Sequence, residues 1–169
     1  MNYSQHNVSL WHFDPKRDLV IIENWIKQPH VIQGWGDSKE ILEQLNQHSP
    51  SESAMIYVDA TPVGYLCWQV PTKQELAEAC LEGLPSELVD IDIMVGDSDY
   101  LGQGVGPQAL TLLLSRLSSE GVKIVGLATT VTNERALKAY EKVGFTRYQL
   151  FNEKGVDHYY LTKAITSAG

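Results

Sequence analysis

The chain has 169 residues, 43% of them hydrophobic, which is enough for one domain with a full core, and no apolar run approaches a membrane span. A net charge of −8 argues against a nucleic-acid partner, and two cysteines, Cys67 and Cys80, without metal-ligand spacing argue against a disulfide scaffold or a metal site. Met1-Asn2-Tyr3-Ser4-Gln5-His6 lacks the basic and apolar regions of a signal peptide, so a cytoplasmic protein is expected.

Residues 7–13 read as a strand. Asp14-Pro15 offers an N-cap and a first-turn proline, and Leu19, Ile22, Trp25 and Ile26 follow at helical spacing, so a helix should run to about Lys27 and stop at Pro29. Ser38 is the expected cap of a second helix containing Ile41, Leu42 and Leu45, and residues 49–53 read as a loop. Two apolar runs, Ala54–Val58 and Val63–Val70, flank Asp59-Ala60-Thr61-Pro62 as a hairpin. Residues 71–87 are ambiguous: 75–81 can form a short helix, which Gly83 and Pro85 break. A strand over 88–95 follows, then a helix from about 104 to 118. Lys123–Ala128 is a strand one crossover helix later, so it should lie parallel to 88–95. Asn133 caps a last helix, with Ala136, Leu137 and Tyr140 on one side, and Gly144 ends it. Phe145–Phe151 and Val156–Thr162 close the chain as a hairpin. The order βααβββαβαββ predicts one mixed α/β domain over 1–169. Trp11, Trp25 and Trp68 are expected in its core, and His30 is expected to be structural.

The richest stretch is Leu101-Gly102-Gln103-Gly104-Val105-Gly106, between the alternating strand Val89-Asp90-Ile91-Asp92-Ile93-Met94-Val95 and an apolar helix. Glycines let backbone N–H groups converge without Cβ obstruction, and a helix N-terminus adds partial positive charge. Together they suit a phosphate-bearing ligand. No Lys-Ser or Lys-Thr follows, so this is not a Walker A loop, and Gly-x-Gly-x-Gly is a poor dinucleotide fingerprint. Residues 74–99 hold eight acids and no Lys or Arg, while the rest of the chain balances 13 acids against 13 bases. Such a window is either a solvated acidic loop or a wall for a cationic substrate.

Two segments together carry a family pattern: Asp92-Ile93-Met94-Val95 with the glycine loop, and Asn133-Glu134-Arg135-Ala136-Leu137-Lys138-Ala139-Tyr140-Glu141-Lys142-Val143-Gly144-Phe145. This resembles the GNAT family of acyl-CoA-dependent N-acetyltransferases. A finer likeness, to aminoglycoside 6′-N-acetyltransferases and related siderophore-pathway acyltransferases, rests on His30-Val31-Ile32-Gln33-Gly34-Trp35-Gly36 and on Ile91-Asp92 ten residues before Gly102. The chain departs from that pattern at three places. Leu101 stands where GNAT loops usually carry Arg or Gln, Gly34 replaces the first of two tryptophans, and Ala128 replaces an amine-pairing Asp of the aminoglycoside enzymes.

The resemblance implies a central mixed sheet, flanked by helices, whose strands 88–95 and 123–128 splay apart so that a pantetheine arm can pair with the exposed edge. It implies acetyl transfer from acetyl-CoA to a primary amine. Asp92 is then the base and Tyr140 the acid that protonates the departing thiolate. Coenzyme contacts are implied at Met94, Val95, Gly96, Leu101, Gly102, Gln103, Gly104, Val105, Gly106 and Asn133, the last also a helix cap. Trp35, Asp90, Asp92 and Glu82 are the implied acceptor contacts. The partner is then a cationic amine, with no nucleic acid, membrane or metal, and the protein a monomer or homodimer. Aminoglycosides, and with them antibiotic resistance, lead the acceptors. Siderophore precursors, lysine or protein amines, and a non-catalytic CoA-binding domain are the alternatives.

Overall fold

The computed structural model describes residues 6–165. In chain order its elements are β1 (Val8–His12), α1 (Pro15–Trp25), α2 (Pro29–Trp35), α3 (Ser38–Gln47), β2 (Ser53–Val58), β3 (Thr61–Gln69), α4 (Lys73–Glu78), β4 (Val89–Val95), α5 (Val105–Ser119), β5 (Ile124–Thr130), α6 (Glu134–Val143), β6 (Thr146–Glu153) and β7 (Val156–Ala164), with short 3₁₀ turns at Pro50–Glu52 and Ser98–Tyr100. The strands form one mixed sheet in the order β1-β2-β3-β4-β5-β7-β6, flanked by helices. Among the described residues no helix is long and apolar enough to cross a membrane, and no cluster of three or more His, Cys, Asp or Glu side chains is placed to hold a metal ion.

The expected strand and helix order is recovered, with two helices added. Pro29 does end α1, but it also opens α2, because proline's fixed φ and missing N–H cost nothing in a first helical turn. In the ambiguous stretch, Thr72 and Glu75 form a reciprocal capping box that starts α4. The cap of α3 is Asp37 rather than Ser38: the Glu40 amide donates to the Asp37 carboxylate (3.0 Å), while the Ser38 hydroxyl donates to the Ile26 carbonyl (2.9 Å). Both hairpin turns tighten to two residues, Asp59-Ala60 and Lys154-Gly155, with Asp59, Lys154 and Gly155 at φ of 53°, 52° and 83°.

The contacts gather into two compact units, one holding the described residues up to Cys67 with Ile93–Ala109, the other Trp68–Asp92 with the described residues from Leu110 on. The first packs α1, α2 and α3 onto the early strands through Phe13, Ile22, Ile26, Ile41, Met55 and Tyr65. Its buried Asp18 is satisfied by the Arg17 guanidinium (2.8 Å) and the Asp14 amide (2.8 Å). The second buries Leu76, Leu81, Leu84, Leu88, Phe151 and Tyr160. Trp25 and Trp68 are core residues as expected. Trp11 is not: on edge strand β1 it is 46% exposed and stacks on Tyr57 at 4.3 Å. In the second unit β4 and β5 run parallel, and their pairing is confined to Val89–Val125 and Asp90–Gly126, although each strand has seven residues.

Candidate functional site

In the first unit, the end of β4 leads through the 3₁₀ turn to the glycine loop and α5. Gly102 and Gly104 take φ of 72° and 81°, the left-handed region in which an L side chain is strained. The space a Cβ at Gly102 would take is open, and at Gly106 it would meet only Val95, at 4.0 Å. A Cβ at Gly104 would meet Gln108 Nε2 at 3.7 Å, so the backbone is barest at Gly102, and a loop with so little side-chain cover suits a diphosphate. The Gln103 side chain is tied into the loop itself, donating to the Asp99 carbonyl and meeting the His6 ring at 2.6 Å. No Lys or Arg lies in Ile93–Ala109. Main-chain amides and the N-terminus of a 15-residue helix are thus what this stretch offers an anion.

The same unit braces β4 from α2. Trp35 Nε1–H donates to the Ile93 carbonyl (3.0 Å) and His30 Nε2 lies 3.0 Å from the Val95 carbonyl. A carbonyl only accepts, so Nε2 carries the proton there. His30 is structural, as expected. Trp35 is half-buried and meets the Tyr65 ring edge-on at 6.3 Å. Gly96 and Asp97 both donate their amides to the Val63 carbonyl (2.9 and 3.1 Å), which anchors the strand end to β3. A Cβ at Gly64 would collide with the Met94 carbonyl, so the backbone of β3 and that of Met94 lie close.

The second unit holds the ionisable groups. Asp90 and Asp92 project from one face of β4, because residues two apart share a face. Asp92 is exposed and Asp90 half-buried. Tyr140, on α6, is half-buried, and burial first and the Asp92 charge second push its phenol well above the usual tyrosine range. Asn133 caps α6: the Ala136 amide donates to its side-chain oxygen (3.2 Å). Glu82 is exposed in the loop after α4, and Ala128 is exposed on β5.

One partnership here was not anticipated from sequence. The Tyr160 hydroxyl donates to Asp90 Oδ1 at 2.8 Å. Burial, the neighbouring Asp92 and, more weakly, Glu75 raise the Asp90 carboxyl well above the carboxylate range, while the Tyr160 hydrogen bond pulls it down. Tyr160 is itself raised by burial and by Asp90. The available signal was Gly126, a glycine amid Ile124-Val125 and Leu127, since a glycine inside a strand often marks a close approach. An open depression of about 450 Å³ in this unit, lined by Val70, Glu87, Val89, Glu120, Gly121, Val122 and Lys123, lies where β4 and β5 begin, and neither Asp92 nor Tyr140 lines it.

Comparison with known proteins matches this arrangement to one family. A family model described as acetyltransferase (GNAT) domain matches residues 14–152. Aminoglycoside N(6′)-acetyltransferase type 1 of Klebsiella pneumoniae is 25% identical over 148 residues, covering 78% of this chain and 71% of that protein. Mycothiol acetyltransferase of Corynebacterium aurimucosum is 29% identical over 114 residues, covering 66% of this chain and 32% of that protein. The crystal structure of aminoglycoside acetyltransferase AAC(6′)-Ib in complex with coenzyme A superposes with a TM-score of 0.78 at 20% identity, covering 94% of this chain and 95% of that one. The glycine loop, the two-residue parallel pairing of β4 with β5 and the matched span lead to one conclusion: the chain belongs to the GNAT family of acetyl-CoA-dependent N-acetyltransferases.

Proposed function

We propose that the protein transfers an acetyl group from acetyl-CoA to a primary amine of a cationic small molecule, as the aminoglycoside 6′-acetyltransferases it resembles do, and that the whole chain works as one cytoplasmic acetyltransferase domain. The observation that carries this reading is the match of residues 14–152 to an acetyltransferase domain, within which a glycine loop and an exposed Asp92 on β4 lie. Bound acetyl-CoA supplies an electrophilic thioester carbonyl and a thiol leaving group. The backbone of Leu101–Gly106 would hold its diphosphate, and Met94, Val95, Gly96 and Asn133 would be further coenzyme contacts.

An alkyl ammonium with a pKa of about 10 is mostly protonated at neutral pH and has no lone pair. Asp92 attracts the cation and takes its first proton, directly or through water, to free the lone pair; the second nitrogen proton, shed after attack, replaces the one that Tyr140 gives up. Tyr140 holds the proton that the departing sulfur needs. The phenol is protonated across the neutral range, so the proton is in place when the sulfur departs, while the raised pKa makes it a weaker donor than a free tyrosine. Asp90 and Glu82 add negative charge for a polycationic acceptor, and Trp35 offers it an aromatic edge.

Ala128 favours a second reading. An exposed methyl on β5, where the aminoglycoside enzymes carry an amine-pairing Asp, suits a smaller amine such as a lysine-derived siderophore precursor. A panel of amines with acetyl-CoA and a thiol-reporting dye separates the two. The leading reading expects thiol release with kanamycin-like compounds; release with lysine derivatives alone replaces it with the second. With whichever acceptor works, Tyr140→Phe should lower turnover about a hundredfold, with acetyl-CoA affinity by calorimetry unchanged. Full activity of that variant removes Tyr140 from the acid role.

A further inference from the structure

We propose that Tyr160 is a positioning residue for acetyl transfer: its phenol, crossing β5 over Gly126, fixes the Asp90 carboxylate beside Asp92 so that both carboxylates face the cationic acceptor as one unit. The inference rests on the reading of Asp92 and Asp90 as the acceptor's carboxylates.

Tyr160 stands on β7 in register with Ala128 of β5, yet its hydrogen-bond partner is on β4, one strand further. The side chain must therefore cross β5, and it does so at Gly126, the residue paired with Asp90. A Cβ at Gly126 would overlap Cε1, Cζ and Oη of the Tyr160 ring. A glycine weakens a strand interior, so its place between Val125 and Leu127 is explained by the ring it admits. The ring is 3% exposed among Leu76, Leu81, Leu84, Leu88 and Phe151. A buried phenol needs a hydrogen-bond acceptor, and Asp90 provides it.

The charged and titratable groups facing Asp90 are Asp92 on its own strand, Glu75 on α4 and Tyr160 on β7. Asp92 and Glu75 disfavour its charge, and Tyr160 favours it. With the phenol gone, the burial and the two negative neighbours remain, so Asp90 holds its proton to higher pH and loses its fixed orientation.

The test compares wild type with Tyr160→Phe, which keeps the ring and removes the donor. With kanamycin as acceptor, the acidic limb of kcat/KM should move up by about one pH unit. KM for the amine should rise about three- to tenfold at neutral pH, with kcat nearly unchanged. In an Asp90→Asn background the same substitution should add nothing, which a merely structural tyrosine would not obey. An unmoved acidic limb and KM overturn the proposal. Should wild type release no thiol with kanamycin, the aminoglycoside reading fails, and ¹³C-carboxyl NMR of the protein alone decides this one. The Asp90 signal, identified by its loss in Asp90→Asn, should titrate at higher pH in Tyr160→Phe, and an equal midpoint overturns the proposal. Gly126→Ala, which forces the ring off Asp90 with both residues present, should repeat the shift if Tyr160→Phe does not fold.

Discussion

Asp92→Asn lowers turnover by about a hundred- to ten-thousand-fold, with acetyl-CoA affinity and thermal stability close to wild type. The substitution keeps the shape of the side chain and deletes its charge and basicity. Asp92 is exposed on β4, and exposed substitutions generally move stability by no more than about 0.5 kcal/mol. An amide can neither hold an ammonium by charge nor accept its proton. Tyr140 responds too. Burial is the first cause of its raised pKa and the Asp92 charge the second, so the variant relaxes the phenol only partway and leaves it protonated. For the same reason Tyr140 contributes no alkaline decline to the wild-type pH–rate profile below about pH 10. Thiol release measured against pH, with calorimetry for the coenzyme, reads both effects. An Asp92→Asn enzyme working at the wild-type rate moves the base role to another residue.

Gly96→Ala lowers stability by about 1–3 kcal/mol, a drop of roughly 3–10 °C in melting temperature for a chain of this size. Gly96 has an ordinary φ, so backbone freedom is not why glycine is needed there. The reason is packing: an added Cβ would overlap Cγ, Cδ2 and Cε3 of Trp25, which is 8% exposed on α1. The indole is rigid and surrounded by the core of the first unit, so either α1 or the end of β4 must shift. A shift of β4 strains the Gly96 amide bond to Val63 and the braces from His30 and Trp35. Acetyl-CoA affinity should therefore fall with stability. Trp25→Leu combined with Gly96→Ala should recover part of both, because the smaller side chain makes room. Calorimetric scanning of the single and double variants tests this, and a Gly96→Ala melting temperature equal to wild type contradicts the packing account.

Local signals placed most elements. The Asp14-Pro15 and Asn133 caps, the left-handed stop at Gly144 and the glycine loop ahead of α5 each act within a few residues, and each stands where its local chemistry puts it. The misreadings were local as well. Pro29 both stops and starts a helix, and sequence expresses only the stop. Ser38 and Asp37 are both good caps, and the choice went to the one whose neighbour leaves Ser38 free to bond Ile26. Trp11 has a core residue's chemistry on an edge strand's outer face, and only the position of β1 in the sheet decides its exposure.

What the sequence determined by itself is the chemistry on offer: two carboxylates on one strand face, a phenol on a capped helix, and a run of glycines that leaves amides bare. These depend on spacings of two to five residues, over which backbone geometry is nearly invariant. Tertiary structure alone decided which carboxylate stays exposed and which is gripped. Tyr160 lies 70 residues from Asp90, and Gly126 opens the path between them. Contacts at that separation arise only when strands assemble, because no local rule links the side chain of one strand to a vacancy on the next.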